Sequence, residues 1–329
     1  MEFIKVKENI ELGIYKKDNS IIYSKTEISQ LSNSKNTVKP FLKWAGGKNQ
    51  LLNEIEKYYP FENGIKKYAE PFVGGGAVLF DILNKYDLEE IYISDINEEL
   101  INTYTMIREH IDELIQKLFI MQDEFIPIEN SDRKIYYSKK REKFNFLKLN
   151  NSIEDDIEKA AIMIFLNKTC FNGLYRVNKK GFFNVPMGDY KNPMICDEDN
   201  LRLVSEKLNN IKIESGDYRK SEKFIDKNTF VYIDPPYRPL TRNSGFIAYS
   251  QTSFDDKQQI RLSEFINFIS KNGAKVLLSN SDPKNIDEKD DFFDNIYSKY
   301  KIRRVEATRM INSKASARGK IKELLISNY

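Results

Sequence analysis

The chain has 329 residues, with 52 basic and 49 acidic side chains, 40% apolar residues, two cysteines and one histidine. This length predicts about two domains, and the charged fraction of 31% with nearly balanced signs is typical of a soluble, ordered protein. Cys170 and Cys196 cannot supply a disulfide framework or a zinc site, which favours a reducing cytoplasm, and the single His110 argues against most histidine-based catalytic sites.

Residues 1–36 are predicted to be an appendage without recognisable chemistry. A β-prone piece at Ile21–Tyr23 lies among polar runs, and a turn-rich linker closes the segment at 32–36. The first twelve residues lack an apolar core of signal-peptide length. The longest apolar run, Ala160 to Leu166, is far shorter than the roughly 20 residues that span a bilayer. We therefore expect no signal peptide and no membrane insertion.

From Tyr68 onward, apolar spacing predicts strands that alternate with helices. The predicted elements are a strand ending at Glu70–Val73, a turn at glycines 74–76, a helix over 77–86, a strand over 91–93 ending at Ser94-Asp95, and one long amphipathic helix over 100–118. This alternation of strands and helices predicts a parallel sheet.

The alternation stops between about Met121 and Asp199, where the chain is rich in Asn, Lys, Tyr and Phe and shows one clear helix, at about 157–167. It resumes with a helix at 201–208, strands at 212–214 and 230–233, a helix at 256–270 and a strand at 275–279. The predicted fold is therefore α/β, a doubly wound Rossmann-like sheet over 37–120 and 200–329 with an inserted, mainly helical or irregular domain over 121–199.

The glycine turn 74–76 stands where a strand gives way to a helix, a place where ligands approach backbone amides closely. Asp95 lies 21 residues beyond Gly74 at the end of the next strand, where a carboxylate usually accepts from two ribose hydroxyls. An ordinary tight turn remains the alternative for the glycines, and a helix N-cap remains the alternative for Asp95.

Trp44, the only tryptophan, and Lys48 belong to an opening segment, Phe41 to Lys48, that contains Gly-Gly-Lys. A phosphate-binding loop would need a further glycine five residues before Gly47 and Ser or Thr after the lysine, and both are missing. A core position is the alternative for Trp44.

The tetrad Asp234-Pro235-Pro236-Tyr237 directly follows the apolar strand and carries the sharpest chemistry. Two prolines hold the backbone extended, so the Asp234 carboxylate and the Pro235 carbonyl can face one small polar group. The amine of a nucleobase is a poor nucleophile because its lone pair is delocalised into the ring. Two acceptors on its hydrogens localise that pair, and Tyr237 offers a flat face for stacking.

These segments together resemble the Dam-like DNA adenine methyltransferases. The resemblance rests on the opening segment, the loop Glu70 to Gly76, the run Phe171 to Arg176 and the tetrad, in that order. The chain is especially similar to the DpnII-type modification methylases, through 184–186, 190–193, 305–309 and 316–320. The likeness covers about Val38 to Tyr329.

The resemblance implies an S-adenosylmethionine-dependent enzyme whose insert recognises double-stranded DNA. The implied cofactor contacts are Trp44, Lys48, Phe72, Gly74, Gly76, Asp95, Asp217 and Asp234. The implied DNA contacts are Lys43, Asn172, Leu174, Arg176, Pro186 and Tyr190, and the implied catalytic residues are Asp234, Pro235, Pro236 and Tyr237. A turn role is the alternative for Asp217. Asp189 stands where relatives usually carry a basic residue, a departure that bears on a phosphate contact.

Charge supports DNA as the partner independently of the resemblance. Residues 166–191 hold five basic side chains and one acid, residues 301–322 hold eight basic side chains and one acid, and the rest of the chain is therefore net acidic. Two solvated loops are the alternative. The nearby aromatic residues Phe171, Tyr175, Phe182 and Phe183 favour contacts with bases or sugars, although the last two also suit a small core.

The sequence therefore predicts a site-specific DNA adenine-N6 methyltransferase that flips its target adenine out of the duplex. We expect no metal, because the methyl donor departs as a neutral thioether. GATC and a role in restriction-modification, beside a cognate endonuclease that need not touch the enzyme, are implied by resemblance. Alternatives are an amino-methyltransferase for another DNA sequence, for cytosine N4, or for RNA or protein amides; a non-enzymatic DNA-binding module; and a P-loop ATPase.

Overall fold

Two short strands, β1 (Tyr15–Lys17) and β2 (Ile21–Tyr23), pair antiparallel within residues 1–38, one of the two units into which the chain divides. The computed structural model describes residues 15–17, 21–23, 37–149, 152–238, 254–308 and 320–329. The predicted β-prone piece at 21–23 is strand β2, whereas the predicted linker at 32–36 lies outside the described residues.

A seven-stranded mixed sheet forms the centre of residues 39–329, in the order β5-β4-β3-β6-β7-β9-β8. Its strands are β3 (Lys67–Glu70), β4 (Glu90–Asp95), β5 (Lys212–Ser215), β6 (Thr229–Ile233), β7 (Lys275–Ser281), β8 (Lys301–Thr308) and β9 (Lys320–Ser327). Strands β3 to β7 are parallel, and β9 runs antiparallel between β7 and β8. The five parallel strands are those that the sequence predicts, so the α/β doubly wound fold is confirmed. Strands β8 and β9 are not predicted by the sequence.

The described helices alternate with these strands, and five of them lie between β4 and β5. They are α1 (Leu52–Glu56), α2 (Ala77–Lys85), α3 (Glu98–Glu109), α4 (Ile111–Phe125), α5 (Asn130–Leu147), α6 (Ile153–Thr169), α7 (Glu198–Leu208), α8 (Asp256–Lys271) and α9 (Phe292–Ile296). Short 3₁₀ turns lie at 61–63, 171–173, 218–223 and 283–285. Among the described residues, no helix has both the length and the apolar character to span a membrane.

The single long helix predicted over 100–118 is wrong, because the chain breaks at His110. His110 has non-helical torsions (φ −135°, ψ 45°), its N–H donates to the Met106 carbonyl, and its carbonyl accepts from the Leu114 N–H. It therefore ends α3 and begins α4. The apolar spacing continues across the break since both helices bury that face, which hides the break from a periodicity argument.

Helix α5 was also missed, because only Tyr137, Phe144 and Leu147 are buried among its 18 residues. Its burial comes from packing on α6, which also contacts α3 and α4. Helix α6 is more extensively buried than its sequence period suggests, with ten buried residues. Tertiary contacts, rather than local amphipathicity, define this part of the insert.

The strand order reverses between β3 and β6. From β3 the chain proceeds outward through β4 and β5, and from β6 it proceeds the other way to β7. In open α/β sheets, ligands bind outside the carboxyl ends of the strands at such a reversal. Glu70, Asp95, Ser215, Asp234 and Ser281 end or follow the five parallel strands, so they share that edge of the sheet.

Candidate active site

The tetrad begins directly after β6, at the reversal of strand order, and its carboxylate is held on both sides. Asp234 Oδ2 lies 2.7 Å from Lys48 Nζ, and Asp234 Oδ1 accepts from Ser279 Oγ at 2.9 Å. The Ser279 hydroxyl donates its only proton to Asp234. The Tyr232 hydroxyl, 2.8 Å from Ser279 Oγ, is therefore the donor in the bond between the two hydroxyls. The side chain of Asp234 keeps 20% of its surface exposed, so it is accessible from solvent.

Lys48 brings the opening segment to the tetrad. Its side chain is only 4% exposed, and its three ammonium hydrogens are matched by Asp234 Oδ2, by the Gly46 carbonyl at 3.0 Å and by the Tyr237 hydroxyl at 3.0 Å. Lys48 is therefore bound to two residues of the tetrad, and its predicted contact with a cofactor stays a prediction.

The rest of the tetrad is also fixed by hydrogen bonds. The buried Gln259 side chain donates to the Pro236 carbonyl at 3.2 Å, and the Tyr237 hydroxyl donates to Glu323 Oε2 at 2.8 Å. Tyr237 is 36% exposed as a residue, so it is accessible from solvent. Gln259, Ser279 and Glu323 were missed, because nothing near them in sequence marks them as neighbours of the tetrad.

Trp44 packs directly on the glycine turn between β3 and α2. A Cβ added at Gly74 (φ 49°) would lie 2.9 Å from Trp44 Cδ1, and one at Gly75 would lie 2.9 Å from Trp44 Cβ. At Gly76 (φ 72°) it would lie 2.6 Å from the Tyr104 hydroxyl. The glycines are therefore required by their protein neighbours. Trp44 is half-buried and packs on the turn, and a cofactor contact by Trp44 stays a prediction.

Asp95 ties the glycine turn to the end of β4. Its Oδ2 accepts from the Gly74 N–H at 3.0 Å and its Oδ1 from the Asn97 N–H at 2.9 Å. Burial raises the pKa of the Asp95 carboxyl, although both N–H groups oppose that shift. The N-cap of α3 is Asn97, whose side chain accepts from the Leu100 N–H, so the N-cap alternative for Asp95 is wrong.

Glu70, at the end of β3, is a further buried carboxylate near this edge. Burial raises its pKa well above the usual range, the Tyr68 hydroxyl counters this by donating at 2.7 Å, and the negative charge of Asp234 raises it further. Within the described ranges, no three His, Cys, Asp or Glu side chains group closely enough to hold a metal ion.

The two remaining predicted cofactor residues flank the same edge. Phe72 stacks on Tyr218, with ring centroids 5.2 Å apart and planes 27° apart. Asp217 caps the 3₁₀ turn at 218–223 by accepting from the Arg219 N–H, and its carboxylate also contacts Arg261 at 3.4 Å. Asp217 thus has the turn role that the sequence left open, and a cofactor contact there stays a prediction.

The predicted DNA-contacting residues lie together around the 3₁₀ turn that follows α6. The exposed Lys43 packs against Gly173, and its Nζ lies 5.0 Å from the ring centroid of Tyr190. Asn172 adopts a left-handed conformation (φ 56°) in that turn, and Pro186 accepts from the Phe171 N–H. Leu174 follows the turn as its C-cap.

Arg176 is oriented by a neighbouring loop residue. Its Nε donates to Asn184 Oδ1 at 2.7 Å and its Nη2 to the Asn184 carbonyl at 3.1 Å. Two contacts to one residue fix the plane of the guanidinium. Of the aromatic residues, Phe171 is 53% exposed, whereas Phe183 is a core residue.

Two buried or half-buried polar side chains that the sequence did not flag hold this surface together. Asn167 accepts from the Lys43 N–H and donates to the carbonyls of Lys43 and Gly173, all within 2.9 Å. Arg133 donates to backbone carbonyls of residues 125 and 126 and, across the insert, of Tyr190 and Lys191. Buried polar groups with several backbone partners could be found only from the fold.

In the second basic segment, 301–322, at least one basic side chain pairs with acidic residues of this chain. Arg304 on β8 pairs with Asp282 at 2.9 Å and with Asp294 at 2.7 Å, so it serves internal contacts. Residues 309–319 lie outside the described residues.

Comparison with known proteins gives consistent matches. Residues 44–311 match the family model described as D12 class N6 adenine-specific DNA methyltransferase. The chain is 50% identical over 296 residues to the type II methyltransferase M.MjaIII of Methanocaldococcus jannaschii, covering 89% of this chain and 99% of that protein. It is 38% identical over 306 residues to the type II methyltransferase M1.LlaDCHI of Lactococcus lactis subsp. cremoris, covering 91% and 98%. It is 36% identical over 291 residues to a DNA adenine methylase of Haemophilus influenzae, covering 87% and 92%.

The crowded glycine turn generates a stability prediction. Gly76→Ala should lower the free energy of unfolding by about 1–3 kcal/mol more than Gly64→Ala, as measured by urea titration. Both glycines have positive φ, of 72° and 77°, so both substitutions carry the left-handed cost of about 1–2 kcal/mol. Only at Gly76 would the new Cβ meet other atoms, because nothing lies within 4 Å at Gly64. Equal losses would contradict the close packing of the turn.

Proposed function

The chain belongs to the D12 class of N6 adenine-specific DNA methyltransferases, and from that premise we propose that it methylates the adenine of GATC as the modification enzyme of a restriction-modification system. The tetrad, held by Lys48, Ser279 and Gln259, is the observation that carries the chemistry. The restriction-modification role is supported by the type II methyltransferase names of two relatives. The GATC target is supported by the sequence likeness to DpnII-type methylases.

Methyltransferases of this family use S-adenosylmethionine, and the residues at the sheet edge fit it. A carboxylate can accept about four hydrogen bonds, so Asp95 keeps acceptor capacity beside its backbone donors for a ligand hydroxyl. The Trp44 side chain and the glycine turn supply an apolar wall and backbone close to that carboxylate. In this proposal the cofactor is held by Trp44, Phe72, Gly74, Gly76 and Asp95. It is also contacted by Lys48, Asp217 and Asp234.

When bound, the cofactor supplies an electrophilic methyl group on a sulfonium centre. Asp234 and the Pro235 carbonyl accept the two hydrogens of the target amine, which localises the nitrogen lone pair for attack. Asp234 acts as an acceptor that orients the amine, because the nitrogen becomes acidic only after it has gained the methyl group. The methylated nitrogen then gives its proton to water, which needs no strong base, so the proposal requires no metal and no histidine.

Adenine inside a duplex cannot reach this edge of the sheet. The base must be flipped out, at a cost of a few kcal/mol, and the partly exposed Tyr237 ring is the face on which it stacks. Since Ser279 and Lys48 already fix Asp234, the acceptors are in place before the base arrives. Such preorganisation is an effective form of catalysis.

In the proposal, residues 121–199 form the target-recognition domain of an enzyme that acts on double-stranded DNA. Lys43, Asn172, Leu174, Arg176, Pro186 and Tyr190 are its DNA contacts. A guanidinium whose plane is fixed, as Arg176 is by Asn184, can donate two parallel hydrogen bonds to the O6 and N7 of guanine. Lys43 and the exposed lysines of the segment meet phosphates.

The first functional prediction concerns Asp234. Asp234→Ala should lower kcat at least about a hundredfold, since the amine loses its principal acceptor, while DNA affinity in a filter-binding assay stays within a few fold. Asp234→Asn retains the side-chain volume and distinguishes lost chemistry from lost folding. Asp226→Asn, which removes an acid paired with Lys67 at the opposite end of β6, is the control. Turnover at the wild-type rate in Asp234→Ala would contradict the proposed role of Asp234 as the acceptor that orients the amine.

The second prediction concerns base discrimination by Arg176. Arg176→Ala should reduce discrimination at one base pair of the site by about 1–3 kcal/mol, measured as the ratio of affinities for cognate and single-substitution duplexes. Lys179→Ala, an exposed lysine of the same segment, should instead weaken binding to all duplexes alike and lower the salt dependence by about one phosphate contact. A uniform effect from Arg176→Ala would contradict its assignment.

The third prediction tests the target sequence. Expression in a host without adenine methylation should make its DNA resistant to a GATC endonuclease blocked by methylation and sensitive to one that requires it. The Asp234→Ala protein is the control and should leave digestion unchanged. Mass spectrometry of the digested DNA should show N6-methyladenine. Methyladenine with unchanged GATC digestion would remove GATC as the target, and methylcytosine would remove adenine as the substrate.

A further inference from the structure

Glu323 is a buried carboxylate on β9 that no part of the proposed reaction yet uses. It is 5% exposed, and it lies opposite Ser281 in the register between β7 and β9. Because β9 runs antiparallel to β7, residue 323 near its start reaches the edge at which the parallel strands end. The next three residues are buried Leu324, Leu325 and Ile326. A carboxylate among such neighbours is costly unless it is paired.

The tetrad supplies a hydrogen-bond donor to this carboxylate. The Tyr237 hydroxyl donates to Glu323 Oε2 at 2.8 Å, and the same hydroxyl accepts from Lys48 Nζ at 3.0 Å. An ammonium can only donate and a carboxylate can only accept, so the hydroxyl proton must point toward Glu323. The two hydrogen bonds therefore donate in the same direction, from Lys48 to Tyr237 and from Tyr237 to Glu323. They connect a buried cation to a buried anion.

The main chain on both sides of Tyr237 is also held by side-chain contacts, while the residue itself remains 36% exposed. The backbone on one side is fixed by Gln259 at the Pro236 carbonyl. On the other side, Arg238 pairs with Asp256 and Asp290, each at 2.6 Å. These contacts locate the main chain, whereas the contacts at the hydroxyl fix the position of the far end of the ring. The hydroxyl is where Glu323 acts.

We propose that Glu323 is a positioning residue that fixes where the Tyr237 ring lies for stacking of the flipped base. The inference rests on the proposed function, since it concerns the platform for the target adenine. It assigns the antiparallel strand β9 a part in the reaction, next to β7, which supplies Ser279 for Asp234. Neighbouring strands thus orient the acceptor and the stacking ring separately.

The test compares Glu323→Leu and Glu323→Gln, each made alone and together with Tyr237→Phe. Glutamine keeps an oxygen that accepts from the hydroxyl, whereas leucine fills the buried site without an acceptor. We expect Glu323→Leu to lower kcat about tenfold, with DNA affinity within threefold, and Glu323→Gln to restore most of the rate. In the Tyr237→Phe background, which has no hydroxyl to hold, Glu323→Leu should cause no additional loss.

A spectroscopic measurement reports the position of the ring directly. Duplexes carrying 2-aminopurine at the target adenine fluoresce when the base leaves the stack, and an aromatic platform quenches that signal. Glu323→Leu should give a brighter flipped state than wild type, and Glu323→Gln should not. The control is Glu214→Leu, which removes the acceptor of another tyrosine, Tyr92, 2.8 Å away in the same sheet. Glu214→Leu should leave kcat and fluorescence within twofold of wild type.

Three outcomes overturn the inference. They are wild-type kcat in Glu323→Leu, equal loss from Glu323→Leu with and without the Tyr237 hydroxyl, and equal loss from leucine and glutamine without a fluorescence change. If Glu323→Leu does not fold, Tyr237→Phe alone decides: it removes the hydroxyl that Glu323 holds, so it should lower kcat and brighten the flipped state, and wild-type kcat and fluorescence in Tyr237→Phe contradict the inference. A wild-type protein that methylates no adenine overturns the proposed function and this inference with it, so the two failures are distinguishable.

Discussion

The partly buried ion pair between Lys48 and Asp234 is the contact on which the site depends. Its partners lie 186 residues apart in sequence and 2.7 Å apart in the fold. An ammonium that is 4% exposed is tolerated only beside an anion and with its hydrogens accepted, and the site meets both conditions. The opening segment is thereby fixed against the end of β6. The Tyr237 hydroxyl bonds to the same ammonium and passes that connection on to Glu323 on β9.

The parts of the site that the sequence predicts are those marked by local pattern. An apolar strand followed by two prolines, or by a glycine run, identifies a strand end without knowledge of the fold, so the parallel strands and the tetrad could be predicted. Ser279, Glu323 and Asn167 could not, since their partners lie 45, 86 and 124 residues away. Strands β8 and β9 were missed because their charged residues were interpreted as a basic surface segment. The break at His110 involves neither glycine nor proline, so no local signal marks it.

The glycine turn at 74–76 has a packing reason for its glycines that the sequence does not reveal. The sequence argument requires glycine at 74–76 so that a ligand can approach the backbone. In the structure, Trp44 and Tyr104 already occupy the space that side chains there would need. The two reasons are compatible because Trp44 covers the turn from the side of the opening segment, while Asp95 holds it from the end of β4. The packing requirement applies whether or not a cofactor is bound.

Adjacent residues of the opening segment contact both proposed binding surfaces. Lys43 packs on Gly173 and lies near Tyr190, on the proposed DNA side, and Asn167 bonds its backbone to that turn. Trp44 packs on the glycine turn of the proposed cofactor side, and it stacks on Tyr175 with ring centroids 5.4 Å apart. A displacement of the recognition turn would therefore move the backbone of Lys43 and the ring on Trp44 together. Because rigid packed groups transmit such shifts, the geometry of the recognition surface and of the cofactor wall cannot vary independently in this fold.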